Sequence, residues 1–198
     1  MGNLILFRFD PEESSEWQRE YRKRTEQGIS TSDIPVPSYL SDSLKMSNGG
    51  TAAFINVLCL SGGRIAKTES QKRLMVFLAE KNQSVFGLGV VGFDIVEMPW
   101  SRDSFDEDKT FMLNVVDGAR RKLGWETLDY CPDEERMLFY LDKFEKLIER
   151  MTKDDIAESA LTEWLDETDE NDPVRCGFPK CPKHDAYVSS FGCQVCLE

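Results

Sequence analysis

Four of the six cysteines and the single histidine of this 198-residue chain fall in its last stretch, Cys176-Gly-Phe-Pro-Lys-Cys181-Pro-Lys-His184-Asp-Ala-Tyr-Val-Ser-Ser-Phe-Gly-Cys193-Gln-Val-Cys196. Thiolates and imidazole are the ligands zinc prefers, four at a time in a tetrahedron, and a C-x-x-C or C-x-x-H spacing lets one tight turn deliver two of them. Cys181-Pro-Lys-His184 is one such turn and Cys193-Gln-Val-Cys196 is another. The intervening residues, Asp185 to Gly192, suffice for a short hairpin with Tyr187, Val188 or Phe191 packed beneath the metal. Gly192 suits a backbone bend that turns N–H groups toward thiolate sulfurs. Cys176 opens an all-cysteine alternative made of Cys176, Cys181, Cys193 and Cys196.

The run Cys181-Pro-Lys-His184-Asp-Ala-Tyr…Phe-Gly-Cys193-Gln-Val-Cys196 resembles the C-P-x-H-G-x-F…G-C-P-x-C pattern of small bacterial and phage zinc ribbons. It departs at Asp185, where that pattern has glycine, and at Gln194, where it has proline. The resemblance covers only this terminal stretch. It implies Cys181, His184, Cys193 and Cys196 as ligands of a structural Zn2+. The all-cysteine set is similar to the Ran-binding-protein type of finger, but Val174-Arg175 stand where that finger has a tryptophan. Four protein ligands leave no open position for water, so such a site holds a fold and does not catalyse. A piece this small depends on metal to fold, and chelation is expected to unfold it while the preceding domain stays folded.

Little else in the chain has catalytic chemistry. With the one histidine engaged in the cysteine cluster, Ser-His and Cys-His nucleophiles lack a base. There is no P-loop, G-x-S-x-G or H-E-x-x-H. Gly87-Leu-Gly89-Val-Val-Gly92 matches G-x-G-x-x-G, but Phe-Asp-Ile-Val-Glu-Met-Pro follows it, and without a helix N-terminus there is no cradle for a pyrophosphate. Clustered carboxylates such as Asp106-Glu107-Asp108 stand at helix starts, where capping explains them. Cys59, inside Ala53–Leu60, is expected as a small buried hydrophobe, and Cys131, before Pro132, as a structural thiol.

The net charge is −12, and from Asp154 to Asp172 there are nine acids and no Lys or Arg. Such a surface repels polyanions and suits a basic protein partner. The first residues lack the basic, apolar, small-residue progression of a secretion signal, and no apolar run approaches the roughly 18–20 residues of a membrane span. The expected location is the cytoplasm, without membrane contact. The expected role is a non-enzymatic acidic interaction or regulatory protein, for which a bacterial or phage immunity-type protein is one concrete form. Two alternatives stand beside it. One is nucleic-acid association through Arg175, Lys180 and Lys183 of the ribbon. The other is an enzyme of unspecified reaction around the long connection Ile29–Gly50.

The expected fold is α+β: an N-terminal mixed sheet with flanking helices over 1–166, an acidic linker at 167–173, and a zinc-ribbon module at 174–198. Apolar runs at Asn3–Phe9, Ala52–Leu60, Arg73–Ala79 and Ser84–Met98 read as strands. Helices are expected from Asp10 to Gln27, after the capping-box spacing Ser104…Glu107, from Pro132 along the stripe Met137, Leu141, Phe144, Ile148 and Met151, and again from Thr152.

Overall fold

A computed structural model describes residues 44, 46–84, 89–157 and 159–196. Within them the chain forms five α-helices: α1 Asn48–Ile65, α2 Glu69–Glu80, α3 Phe105–Arg120, α4 Glu134–Arg150 and α5 Ala160–Asp166. No strand is present among the described residues; extended segments meet only in isolated antiparallel bridges such as Asn82 with Val90. The mixed sheet is therefore corrected to a helical body. Ala52–Leu60 and Arg73–Ala79 lie inside α1 and α2. What is described of Ser84–Met98 is irregular chain with one 3-10 turn, Ile95–Glu97. The strand expected at Asn3–Phe9, the helix from Asp10 and the part of the long connection over 29–43 lie outside the described residues.

The reason α1 reads as a strand is its position. It packs against α2, α3 and α4, so every residue from Phe54 to Ser61 is buried. A helix covered on all sides has no polar face and shows no 3.6-residue alternation. Its start is set locally, by the Ser47 hydroxyl accepting the Gly50 N–H at 3.2 Å. α2 begins with a reciprocal capping box between Thr68 and Gln71.

α3 and α4 follow the apolar stripes that announce them. Met112, Val115, Val116 and Ala119 of α3 and Met137, Leu141, Phe144 and Ile148 of α4 are all buried. Phe54 of α1 meets Tyr140 and Phe144 of α4 edge to face, with centroids 6.4 and 5.4 Å away. Ser104 does not close the expected capping box. Its hydroxyl donates instead to Asp108 Oδ2 at 2.8 Å, and Ser70 of α2 donates to the same oxygen, tying the first turns of α2 and α3 together. Burial holds the Asp108 carboxyl above the usual carboxylate range, with both hydroxyls opposing.

The helix expected from Thr152 is split. Thr152 and Asp155 cap a single 3-10 turn, Lys153–Asp155, and α5 starts five residues later. Trp164 of α5 packs on Phe77 and donates its indole N–H to Glu80 Oε2 at 2.8 Å. Burial pushes the Glu80 carboxyl up to about 7, against the Trp164 hydrogen bond and the nearby Lys81, with Asp172 and Glu167 adding to the rise. The folded chain then keeps a proton that the unfolded chain releases, so stability falls as pH rises from about 4.5 through about 7. Glu80→Gln keeps an acceptor for Trp164 and should remove that loss. The variant is expected to gain on the order of 2 kcal/mol over wild type at pH 8 relative to pH 4. Urea unfolding at the two pH values checks this, and an equal difference at both would contradict it.

Candidate metal site

The C-terminal stretch is built of tight turns that converge on one point. Cys181 N–H donates to Ala186 O, and Asp185 N–H donates to Cys181 O, both at 2.9 Å. These bonds close the first turn around Cys181-Pro-Lys-His184. Asp185 then takes a left-handed conformation with φ 53°, a geometry that Asp tolerates better than most side chains. Ser189 and Gly192 exchange two backbone hydrogen bonds at 3.0 and 2.9 Å. Gly192, φ 96°, turns the chain into the second turn, which Cys196 N–H closes on Cys193 O at 3.0 Å.

Between these turns Cys181, His184, Cys193 and Cys196 come together, their ligand atoms all within 4.8 Å of one another, in an arrangement that could hold a metal ion. His184 Nδ1 lies 3.6 Å from Cys181 Sγ, 3.4 Å from Cys193 Sγ and 3.3 Å from Cys196 Sγ. Cys181 and Cys196 sulfurs are 3.8 Å apart. His184 is fully buried, Cys181 and Cys193 are buried, and Cys196 is exposed. Cys176 stands outside the cluster, exposed, with its sulfur 3.7 Å from Glu170 O. Cys59 is buried in the helical core and Cys131 is exposed.

The electrostatics around the sulfurs are uneven. Burial opposes ionisation of Cys181, but N–H groups of His184 and Lys183 aimed at its sulfur prevail, and the thiol lies below its ordinary range. Burial pushes Cys193 up to about 12, against N–H bonds from Cys196 and Val195. Burial, then Lys183, holds His184 below the usual imidazole range. A bound cation would reverse the burial penalty on the thiolates and require the neutral imidazole that this setting already favours.

The cluster is set directly on the helical body. Leu60 of α1 packs with Cys181, Cys193 and Val195 in one apolar group. Gly63, one helical turn further on, lies so close to the first turn that a Cβ there would fall 2.4 Å from Asp185 O and 3.0 Å from Ala186 Cα. Gly62-Gly63, a dipeptide that often marks a turn, lies inside α1, and Gly63 serves close approach. Arg64 donates to His184 O at 3.2 Å, Lys180 Nζ donates to Gly63 O at 2.6 Å, and Lys183 pairs with Asp129 at 2.9 Å. On the second turn, buried Asn82 donates from Nδ2 to Gln194 O at 3.1 Å. Leu60, Gly63, Arg64 and Asn82 therefore belong to the site's support. No ligand-spacing rule points to them, because each is an ordinary residue of a distant helix or loop.

The acidic segment before the cluster is also fastened. Asp172 is buried, accepts the Val174 N–H at 2.9 Å, and receives the Arg175 and Cys176 N–H groups on its carbonyl. Arg175 donates to Leu165 O and Thr168 Oγ1, each at 2.9 Å. Among the described residues no helix is long and apolar enough to cross a membrane. No protein-family model, curated protein or solved structure was found to match the chain.

Proposed function

We propose that Cys181, His184, Cys193 and Cys196 bind a structural Zn2+ that clamps the C-terminal stretch onto α1, within a non-enzymatic acidic interaction protein. The observation that carries the metal reading is the spacing of the four ligand atoms. A tetrahedron with Zn–S of about 2.3 Å and Zn–N of about 2.0–2.1 Å has S–S edges of about 3.8 Å and S–N edges of about 3.5 Å. The cluster has an S–S separation of 3.8 Å and S–N separations of 3.3 to 3.6 Å. Three thiolates and an imidazole are a soft donor set that favours zinc over calcium or magnesium. All four positions are taken by the protein, which argues for structure over catalysis. Cobalt substitution tests it. Co2+ added to the metal-free protein should give intense tetrahedral d–d bands and thiolate-to-cobalt charge transfer. Weak bands of octahedral type would contradict the reading.

The interaction role is supported by the surface around α5. Glu163, Asp166, Glu167, Asp169 and Glu170 are all exposed, and Arg175, the nearest cation in sequence, is spent on Leu165 and Thr168. A surface of this kind favours a basic protein partner and gives it a salt-dependent on-rate. The same census weighs against nucleic acid. Lys183 is paired with Asp129, and Lys180 with Asp185 and Gly63 O. A pulldown at low salt should recover a basic protein that is released at about 0.5 M salt, where screening is within a few ångströms. Retention of nucleic acid instead, lost after nuclease treatment, would overturn this choice.

A further inference from the structure

The four ligands are not equally protected. His184 is fully buried and Cys181 and Cys193 are buried, whereas Cys196 is exposed. The Cys196 sulfur stands 3.8 Å from that of Cys181. An accessible thiolate with a second sulfur almost at contact is the arrangement in which oxidation ends in a disulfide and not in overoxidised acids.

We infer that this cluster is a thiol-oxidation site, at which hydrogen peroxide enters through Cys196, joins it to Cys181 and releases the metal. The inference rests on the metal reading above. In the first step the Cys196 thiolate attacks one peroxide oxygen, the O–O bond breaks, and the departing hydroxide takes up a proton to become water. Cys196 is left as a sulfenic acid. In the second step the Cys181 sulfur attacks the Cys196 sulfur, the S–O bond breaks, and a second water leaves. Two thiolates have lost two electrons in all, and one peroxide has been reduced to two waters with two protons consumed. Thiolates are the reactive forms in both steps, and metal coordination maintains them as thiolates. Only His184 and Cys193 then remain as ligands, too few to retain zinc.

Cys176 and Cys131 are exposed thiols outside the cluster and serve as internal references. The experiment treats the zinc-loaded full chain with hydrogen peroxide at neutral pH. Metal release is followed with a chromogenic chelator, and disulfides are mapped by mass spectrometry. The expected result is release of the bound zinc in step with loss of two hydrogens and with a Cys181–Cys196 linked peptide. Thiol reductant plus zinc should restore the starting state, and Cys176→Ser should release zinc at an unchanged rate. Zinc that stays bound while Cys176 is oxidised would overturn the inference and leave the metal reading standing. Zinc release that requires Cys176, or a disulfide to Cys176 in the mapping, would overturn it as well. A chain that takes up no zinc before oxidant is added would overturn both.

Discussion

Removing the metal with a chelator at neutral pH is expected to unfold residues 177–196 and to weaken the helical body with them. Metal binding in small Cys/His modules contributes roughly 10–16 kcal/mol of apparent binding free energy, nearly all of it spent on folding the module. Phe178 and Tyr187 join the main core, but around the metal itself the C-terminal turns have little apolar packing. Their own apolar group is Leu60, Cys181, Cys193 and Val195, with Leu128 and Val188 beside it, and two of those four buried members are the ligands themselves. A free-standing ribbon would come apart alone, as the sequence suggests. The contacts argue for more. Arg64 on His184 O, Lys180 on Gly63 O and Asn82 on Gln194 O all cross between the turns and the body, and buried Asn82 loses its Gln194 acceptor when the turns open. A buried amide donor left without a partner costs about 1–3 kcal/mol. Chelation should therefore lower the thermal midpoint of the helical signal as well as abolish hydrogen-exchange protection in the turns. An unchanged helical midpoint would show that the turns only hang from the body.

The second large effect is expected from a position that carries no ligand. Gly63→Ala places a methyl group 2.4 Å from Asp185 O and 3.0 Å from Ala186 Cα. Real Cβ atoms do not approach backbone that closely, and a peptide held in the first turn cannot rotate away as a side chain could. Alanine favours a helix interior by about 1 kcal/mol over glycine, so a purely local effect would stabilise α1. The steric term runs the other way at about 3 kcal/mol, the upper end for overpacking, because backbone must move. The net expectation is a destabilised protein whose zinc affinity falls, although residue 63 touches no ligand atom. Competition with a chelator of known affinity checks it. A variant that binds zinc as tightly as wild type would mean the turns are not seated on α1. Gly49→Ala, where nothing lies within 4 Å of the added carbon, is the control that should cost nothing in zinc affinity.

What the sequence discloses follows from how local each signal is. The two turns are legible because ligand spacing is a property of four consecutive residues, Cys181 to His184 and Cys193 to Cys196. The stripe from Met137 through Ile148 is legible because α4 keeps one face in solvent, with Asp142, Lys146 and Glu149 exposed between the buried positions. α1 and α2 mislead for the opposite reason. Phe54–Ser61 and Leu74–Ala79 are buried without interruption, so their apolar runs have strand length and no helical period. Gly62-Gly63 compounds the error, since the same dipeptide that ends a strand also lets a helix be approached by its neighbours. Ser104 shows how a neighbouring helix redirects a local motif: its hydroxyl goes to the Asp108 carboxylate, shared with Ser70 of α2, and not to a backbone N–H of the first turn. Asp185 is legible only in the backbone, where φ 53° is a conformation that glycine adopts freely and most side chains avoid.

The most direct test of the account is the zinc content of the purified chain by elemental mass spectrometry, measured beside Cys193→Ser and Cys176→Ser. One zinc per chain in the wild type and in Cys176→Ser, with little or none retained by Cys193→Ser, is the predicted result. A wild-type chain without zinc, or a Cys176→Ser chain that has lost it, would contradict the four-ligand site on which the account depends.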